Sequence, residues 1–211
     1  MSVSRIKYPK TPHLPWSPGL TANDTRLLDC QQFEGKEVIV TEKLDGENTT
    51  MYTDYLHARS IDNRFHPSRE WVKKLHGTIS YLIPFGWRLC GENLYAQHSI
   101  PYSNLESYFY LFSIWDENNI CIDWYQTLKW AESLGLKTPR VFYQGVWDKT
   151  KISQLSFDTD ICEGFVVRTV QSFPFNRFEE NVAKWVRKGH VATEEHWMNK
   201  PIIVNQILKH S

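Results

Sequence analysis

The sequence predicts an α+β fold of largely antiparallel sheets flanked by helices, in one domain spanning residues 1–211. Three observations carry that prediction. β-rich runs recur along the chain, two amphipathic helical patterns stand between them, and the strands follow one another through turns rather than in regular strand–helix–strand alternation.

The elements follow in order. Residues 5–19 hold four prolines and read as an extended arm, taken as residues 1–20, because proline fixes its own φ and biases its predecessor out of the helical region. Packing of Leu14 and Trp16 is the reason for order there, with His13 and Ser17 as possible ligand contacts. Val38-Ile39-Val40-Thr41-Glu42-Lys43 alternates as a strand, Leu44-Asp45-Gly46 turns, and Thr49-Thr50-Met51-Tyr52 leaves as a strand, so the stretch reads as a hairpin with Lys43 near its tip. Residues 55–60 form the next strand, ending at Arg59. Ser68 opens a helix with Trp71, Leu75, Ile79 and Leu82 on one face, stopped by Pro84.

Residues 87–95 alternate, with Arg88, Cys90 and Glu92 on one face and Trp87 and Leu89 on the other. Residues 108–115 are almost wholly apolar, a strand covered on both faces, with Tyr110, Phe112 and Ile114 sharing one. Asp123 and Gln126 make a capping-box variant for a second helix carrying Trp124, Leu128, Ala131 and Leu134, closed by Gly135. Residues 163–169 and 181–187 are strands, the first opened by Glu163 and the second carrying Lys184. A last helix starts at Thr193-Glu194-Glu195.

Composition limits the function classes. Lys plus Arg equal Asp plus Glu at 24 each, so no overall basic field draws in nucleic acid, and such a role needs a local patch. The four cysteines are far apart and signal neither a zinc site nor a disulfide scaffold. No apolar run reaches membrane-spanning length and no signal peptide is present, so no membrane partner and a cytoplasmic location are expected. The phosphate-loop pattern G-x-x-x-x-G-K-[ST] and the dinucleotide fingerprint are absent, so any nucleotide is held another way.

Lys43 is the candidate nucleophile, since a deprotonated amine forms covalent bonds to electrophilic carbon or phosphorus. Glu42, Asp45 and Glu47 hold it as the ammonium, so a divalent metal and other basic side chains must share the site if it is to attack. Taken alone, K-x-D-G fits a solvated hairpin tip as well as a nucleophile. Arg59 alone fits a surface ion pair or a phosphate contact.

In order along the chain, K-x-D-G, an arginine at a strand end, G-E-N, an aromatic strand, E-G-F-V-V-R and a lysine-bearing strand resemble the covalent nucleotidyltransferases, the ligases and mRNA capping enzymes. The sequence looks closest to the ATP-dependent RNA ligases, over roughly residues 36–198. The resemblance implies a nucleotidyltransferase (ATP-grasp-like ligase adenylation) domain in which Lys43 attacks the α-phosphorus of ATP to give lysyl-AMP. It places Glu42 by the adenine, and Asn48 where the RNA ligase branch can carry Asn in place of Arg. Arg59 contacts the nucleotide or the 5′-phosphate end, Glu92 hydrogen-bonds the ribose, and Phe112 stacks on the adenine. Glu163 works with Mg²⁺ or Mn²⁺ as the metal residue, and Lys184 contacts the α-phosphate.

The family's second motif V lysine is replaced by Val186, followed by Arg187 and Lys188. In an unbroken strand Lys188 shares the face of Lys184; a bulge would bring in Arg187 instead. Only about twenty residues follow, so no C-terminal oligonucleotide-binding (OB) domain is expected. The implied activity is ATP-dependent joining of RNA 5′-phosphate and 3′-hydroxyl ends through lysyl-AMP and adenylylated RNA, with room for a separate end-healing or RNA-binding partner. The alternatives are a minimal DNA ligase, a GTP-using capping-type guanylyltransferase, and an idle module that binds nucleotide or RNA ends.

Overall fold

The computed structural model describes residues 4–61, 63–189 and 201–208. Its strands are β1 (Glu37–Lys43), β2 (Glu47–Met51), β3 (Leu56–Ala58), β4 (Arg88–Asn93), β5 (Phe109–Trp115), β6 (Ile120–Cys121), β7 (Val141–Val146), β8 (Gly164–Thr169), β9 (Phe173–Pro174) and β10 (Val182–Val186). They form two sheets, β10-β8-β1-β7 and β3-β2-β4-β5-β6-β9, in which every strand pairing is antiparallel. The helices are α1 (Glu70–Ile79), α2 (Trp124–Ser133) and α3 (Lys149–Ser153). The expected α+β class and antiparallel sheet pair are therefore what the chain forms.

Each sheet buries one face under its own helices. Met51, Leu56, Leu89, Phe109, Leu111 and Ile114 of the six-stranded sheet pack with Val72 and Ile79 of α1 and Ala131 of α2. Val38, Val40, Phe165, Val167 and Ala183 of the four-stranded sheet pack with Ile152 of α3, Phe33 and Trp147, and Leu14 of the arm joins them. The two inner faces meet through Cys90, Trp115, Cys121, Phe173, Phe178 and Val182, and beyond this junction they part to leave a cavity. All four cysteines are free and buried.

The stretch around Lys43 is not a hairpin. β1 pairs with β7 and β8, whereas β2 pairs with β3 and β4, so Leu44-Asp45-Gly46 carries the chain from one sheet to the other. The reason lies in burial: Val38, Ile39 and Val40 are each fully covered, as suits an internal strand flanked on both edges. Gly46 permits the crossing, because a Cβ there would lie 2.4 Å from the Asn93 carbonyl oxygen.

Other differences are local. α1 begins at Glu70, after a 3₁₀ turn over Pro67–Arg69, and Leu82 and Leu128 are exposed rather than buried. Asp123 caps α2 as expected, accepting from the Gln126 N–H at 2.9 Å, and Gly135 takes φ 65° just beyond its end. Tyr110, Phe112 and Ile114 do not share a face. The β4–β5 register shifts between Cys90 and Gly91, opposite Ser113 and Leu111, which makes Phe112 the extra residue of a bulge. Tyr110 then packs with Leu44, Leu94 and Leu105, Phe112 faces the cavity, and Ile114 joins the core under α1. β7 and α3 carried no recognised pattern, and the helix expected from Thr193 lies outside the described residues. Among the described residues no helix is long and apolar enough to cross a membrane.

Candidate active site between the two sheets

The inner faces enclose a cavity of about 890 Å³. Strand alternation puts Thr41 and Lys43 of β1, Val166 and Arg168 of β8, and Val182 and Lys184 of β10 on its wall. Register aligns Thr41, Val166 and Lys184 in one row. From the facing sheet come Asn48 and Glu92, directly opposite one another on β2 and β4, with Phe112 from β5 and Arg59 just after β3.

Of the ten site residues expected from sequence, Glu42, Lys43, Asn48, Arg59, Glu92, Phe112 and Lys184 line this cavity together. Glu163, fully buried, ion-pairs with the Lys43 ammonium. Arg187 is partly buried and its backbone N–H donates to the Glu163 carbonyl at 3.0 Å; Lys188 is exposed, and neither is among the lining residues.

The acids near Lys43 in sequence are mostly engaged elsewhere. Glu47 forms a buried bidentate pair with Arg69, at 3.0 and 2.9 Å from its Nε. One Asp45 carboxylate oxygen accepts from Ser99 N–H and Oγ–H at 2.8 and 2.6 Å and from Ile100 N–H at 3.0 Å, which ties the crossing to the 99–100 loop. Glu42 lies 3.3 Å from the Arg140 guanidinium. Lys43 instead meets Glu163, 120 residues away, with Glu92 close by.

These surroundings set the charges. Burial pushes Lys43 toward the neutral amine, but Glu163, then Glu92 and Asp45, outweigh it and raise its pKa. Burial raises the Glu92 carboxyl to about 8, helped by Glu163 and opposed by Lys43 and by the Gly46 N–H it accepts at 3.1 Å. Lys184 is lowered by burial and by Lys43, with Asp24 opposing. The centre thus holds one ammonium–carboxylate pair, a neutral acid at pH 7 and a second, less basic lysine.

The wall suits a nucleotide. Its volume is in the range of small-molecule sites, and the buried Asn48 Oδ1 lines it without a hydrogen-bond partner. Phe112 offers an aromatic face, met edge-on by the Tyr8 ring at 5.3 Å. Among the described residues no three His, Cys, Asp or Glu side chains gather as a metal cluster, so a divalent cation at Glu163 would need phosphate oxygens to complete its shell.

Sequence reasoning missed several wall residues. Tyr8, Thr21, Asn23 and Asp24 come from the N-terminal segment, and Ser113 and Arg168 from β5 and β8. For Arg168 the signal was present, since it lies two residues after Val166 on an alternating strand. For Asp24 none was, because its partner Lys184 is 160 residues away.

The fold is that of a nucleotidyltransferase domain of the ligase kind. The family model for RNA ligase matches residues 36–186, and the chain belongs to the RNA ligase family. Among solved structures, an archaeal ATP-dependent RNA ligase is similar, with a TM-score of 0.57 and 16% identity over 85% of this chain and 48% of that one. A Naegleria gruberi RNA ligase variant with ATP and Mn gives 0.54 and 15% over 87% and 61%, and the same organism's RNA ligase with PPi gives 0.52 and 20% over 74% and 51%. At these identities the likeness is one of fold, and the chain spans about half the length of the solved ligases it matches. No curated protein matches it.

Proposed function

We propose that the chain is the adenylyl-transferring part of an ATP-dependent RNA ligase acting on RNA 5′-phosphate and 3′-hydroxyl ends. The observation that carries this reading is the convergence on one cavity of a lysine from the sheet crossing, a buried carboxylate paired with it, an aromatic face and a second lysine. Family membership, together with the ATP and Mn that accompany one of the similar ligases, supports ATP and a divalent cation as the small-molecule requirement.

In the first step Lys43 Nζ forms a bond to the α-phosphorus, the bond to the bridging oxygen breaks, and pyrophosphate leaves. Lys43 must first lose a proton, and burial already favours that loss, whereas Glu163 and Glu92 hold the proton on. Glu163 is the residue that would hold a divalent cation, and the neutralisation it would supply would loosen that proton and stabilise negative charge on the phosphates.

Phe112 orients the base, neutral Glu92 can donate to a ribose oxygen, and Asn48 Oδ1 gains the partner it lacks. Lys184 faces the charge that develops on the α-phosphate. An RNA 5′-phosphate oxygen then attacks lysyl-AMP, breaking the N–P bond and returning the amine. A 3′-hydroxyl finally attacks the activated 5′-phosphorus and AMP leaves.

The test is incubation with α-labelled ATP and Mg²⁺ or Mn²⁺, followed by denaturing electrophoresis. The intact chain takes covalent label and Lys43→Ala takes none. Label on the variant, or preference for GTP over ATP, overturns the assignment.

A further inference from the structure

The N-terminal arm precedes the segment that the family model matches, yet it forms one wall of the cavity and grips the strand that carries Lys184. Lys184 N–H donates to the Pro12 carbonyl at 2.9 Å, and Leu14 N–H donates to the Lys184 carbonyl at 2.8 Å, so the arm takes both backbone polar groups of that residue.

A chain of polar contacts reaches the side chain. Asp24 places one carboxylate oxygen 3.5 Å from Lys184 Nζ and the other 3.4 Å from His13 Nε2. Thr21 fixes that second oxygen, donating from its backbone N–H at 3.0 Å and its hydroxyl at 2.7 Å. His13 Nδ1 lies 2.8 Å from Ser17 Oγ, which itself accepts from Val186 N–H at 2.9 Å. His13 Nε2 approaches Asp24 without a hydrogen bond, so the two Thr21 donors are what fix the carboxylate.

We propose that Asp24, fixed by Thr21, is a positioning residue that the N-terminal segment contributes from outside the family segment, holding the Lys184 ammonium over the cavity for the α-phosphate of a nucleoside triphosphate. The inference rests on the proposed function of Lys184.

Charge balance explains why such a residue is needed. Lys184 shares the cavity with Lys43 from β1 and Arg59 from beyond β3, and burial and Lys43 both disfavour its charged form. His13 supplies no competing charge, because burial and Lys184 hold its pKa at about 4. Asp24 is the opposite charge on this side. Burial works against its ionisation, but the Thr21 hydrogen bonds, with Lys184 and His13, bring its carboxyl down to about 2. It therefore stays ionised across the working pH range and can keep Lys184 protonated and aimed.

The test is a double-mutant cycle on the intact chain, reading the single-turnover rate of lysyl-AMP formation in wild type, Asp24→Asn, Lys184→Ala and the double variant. Asp24→Asn keeps an oxygen for Thr21 and removes only the charge. It is expected to slow labelling about tenfold when Lys184 is present and less than about twofold when Lys184 is already alanine, since residues acting through one another are not additive. The alkaline limb of the Asp24→Asn rate profile should also move to lower pH, because Lys184 has lost its counter-charge. Equal slowing in both backgrounds, or no slowing in either, overturns the proposal. Should Asp24→Asn not melt cooperatively, Thr21→Val, which removes the hydroxyl donor to Asp24, takes its place in the same cycle, with the same two outcomes. A wild-type chain that takes no label overturns the functional reading instead, which separates the two failures.

Discussion

Replacing Glu92 by glutamine tests the charge assignment at the centre of the site without requiring any catalysis. Below about pH 4.5 the carboxyl is neutral both folded and unfolded and contributes no pH dependence. Between about 4.5 and about 8 the unfolded chain ionises it while the folded chain keeps it neutral, so the folded state binds the extra proton and stability falls as pH rises. Above about 8 both states are ionised and the loss levels off. Each unit of pH inside the window costs up to about 1.36 kcal/mol. From pH 5 to 7 that is about 2.7 kcal/mol, and screening by solvent in the open cavity reduces it to roughly 2 kcal/mol.

Glu92→Gln keeps the size and removes the titration, and Glu163, Lys43 and the remaining acids are common to both proteins. The melting temperature of the variant minus that of wild type should therefore grow by about 4–8 °C from pH 5 to pH 7 for a domain of this size, then flatten above about pH 8. Melts followed by tryptophan fluorescence in EDTA, so that no cation neutralises the site, provide the curves. A difference that is constant with pH, or that shrinks, would mean that Glu92 is ionised in the folded protein and that the site carries one more negative charge than described.

Phe112→Leu keeps most of the apolar volume at the bulge, so it should raise the ATP concentration needed for labelling several-fold while moving the melting temperature by less than about 4 °C; the reverse pattern would make Phe112 a core residue. Glu163→Gln should slow lysyl-AMP formation and recover partly at high Mn²⁺, whereas Lys184→Ala should lose about a hundredfold in rate with no rescue by metal; identical metal titrations would refute the separate roles. Gly46→Ala sets a Cβ against the Asn93 carbonyl and the Leu94 side chain, and should cost about 1–3 kcal/mol in urea unfolding along with most of the labelling; a fully stable variant would show that the crossing has room to relax.

What the sequence made legible was whatever depends on local pattern. Alternation around Lys43, Glu92 and Lys184 placed each on a strand, though it did not show the partner strands of Lys43, and the Asp123 cap was readable because the carboxylate and its N–H are three residues apart. What depends on distant partners was hidden. The acids written beside Lys43 suggested its counter-charges, yet Glu47 and Asp45 turn to Arg69 and the 99–100 loop, and the pairing carboxylate comes from residue 163. Phe112 was placed beside Ile114 by simple alternation, which a bulge breaks and which no residue type along β5 announces. Leu14 is fully buried, as its expected packing role required, but nothing in the prolines of the arm indicated which strand it would accompany.

That accompaniment has a bearing on solubility. β10 is the outermost strand of its sheet, and an outermost strand left bare offers unpaired amides and carbonyls to any extended chain that drifts past. Here the Lys184 amide and carbonyl and the Val186 carbonyl are taken by Pro12, Leu14 and Gly19 of the molecule's own N-terminal segment, whose prolines cannot themselves recruit a further strand at those positions. The N-terminal segment that lines the site with some residues acts with others as a guard rail along the sheet. Clipping it would leave a sticky edge, so a nick in this segment would show as turbidity as well as a slower reaction.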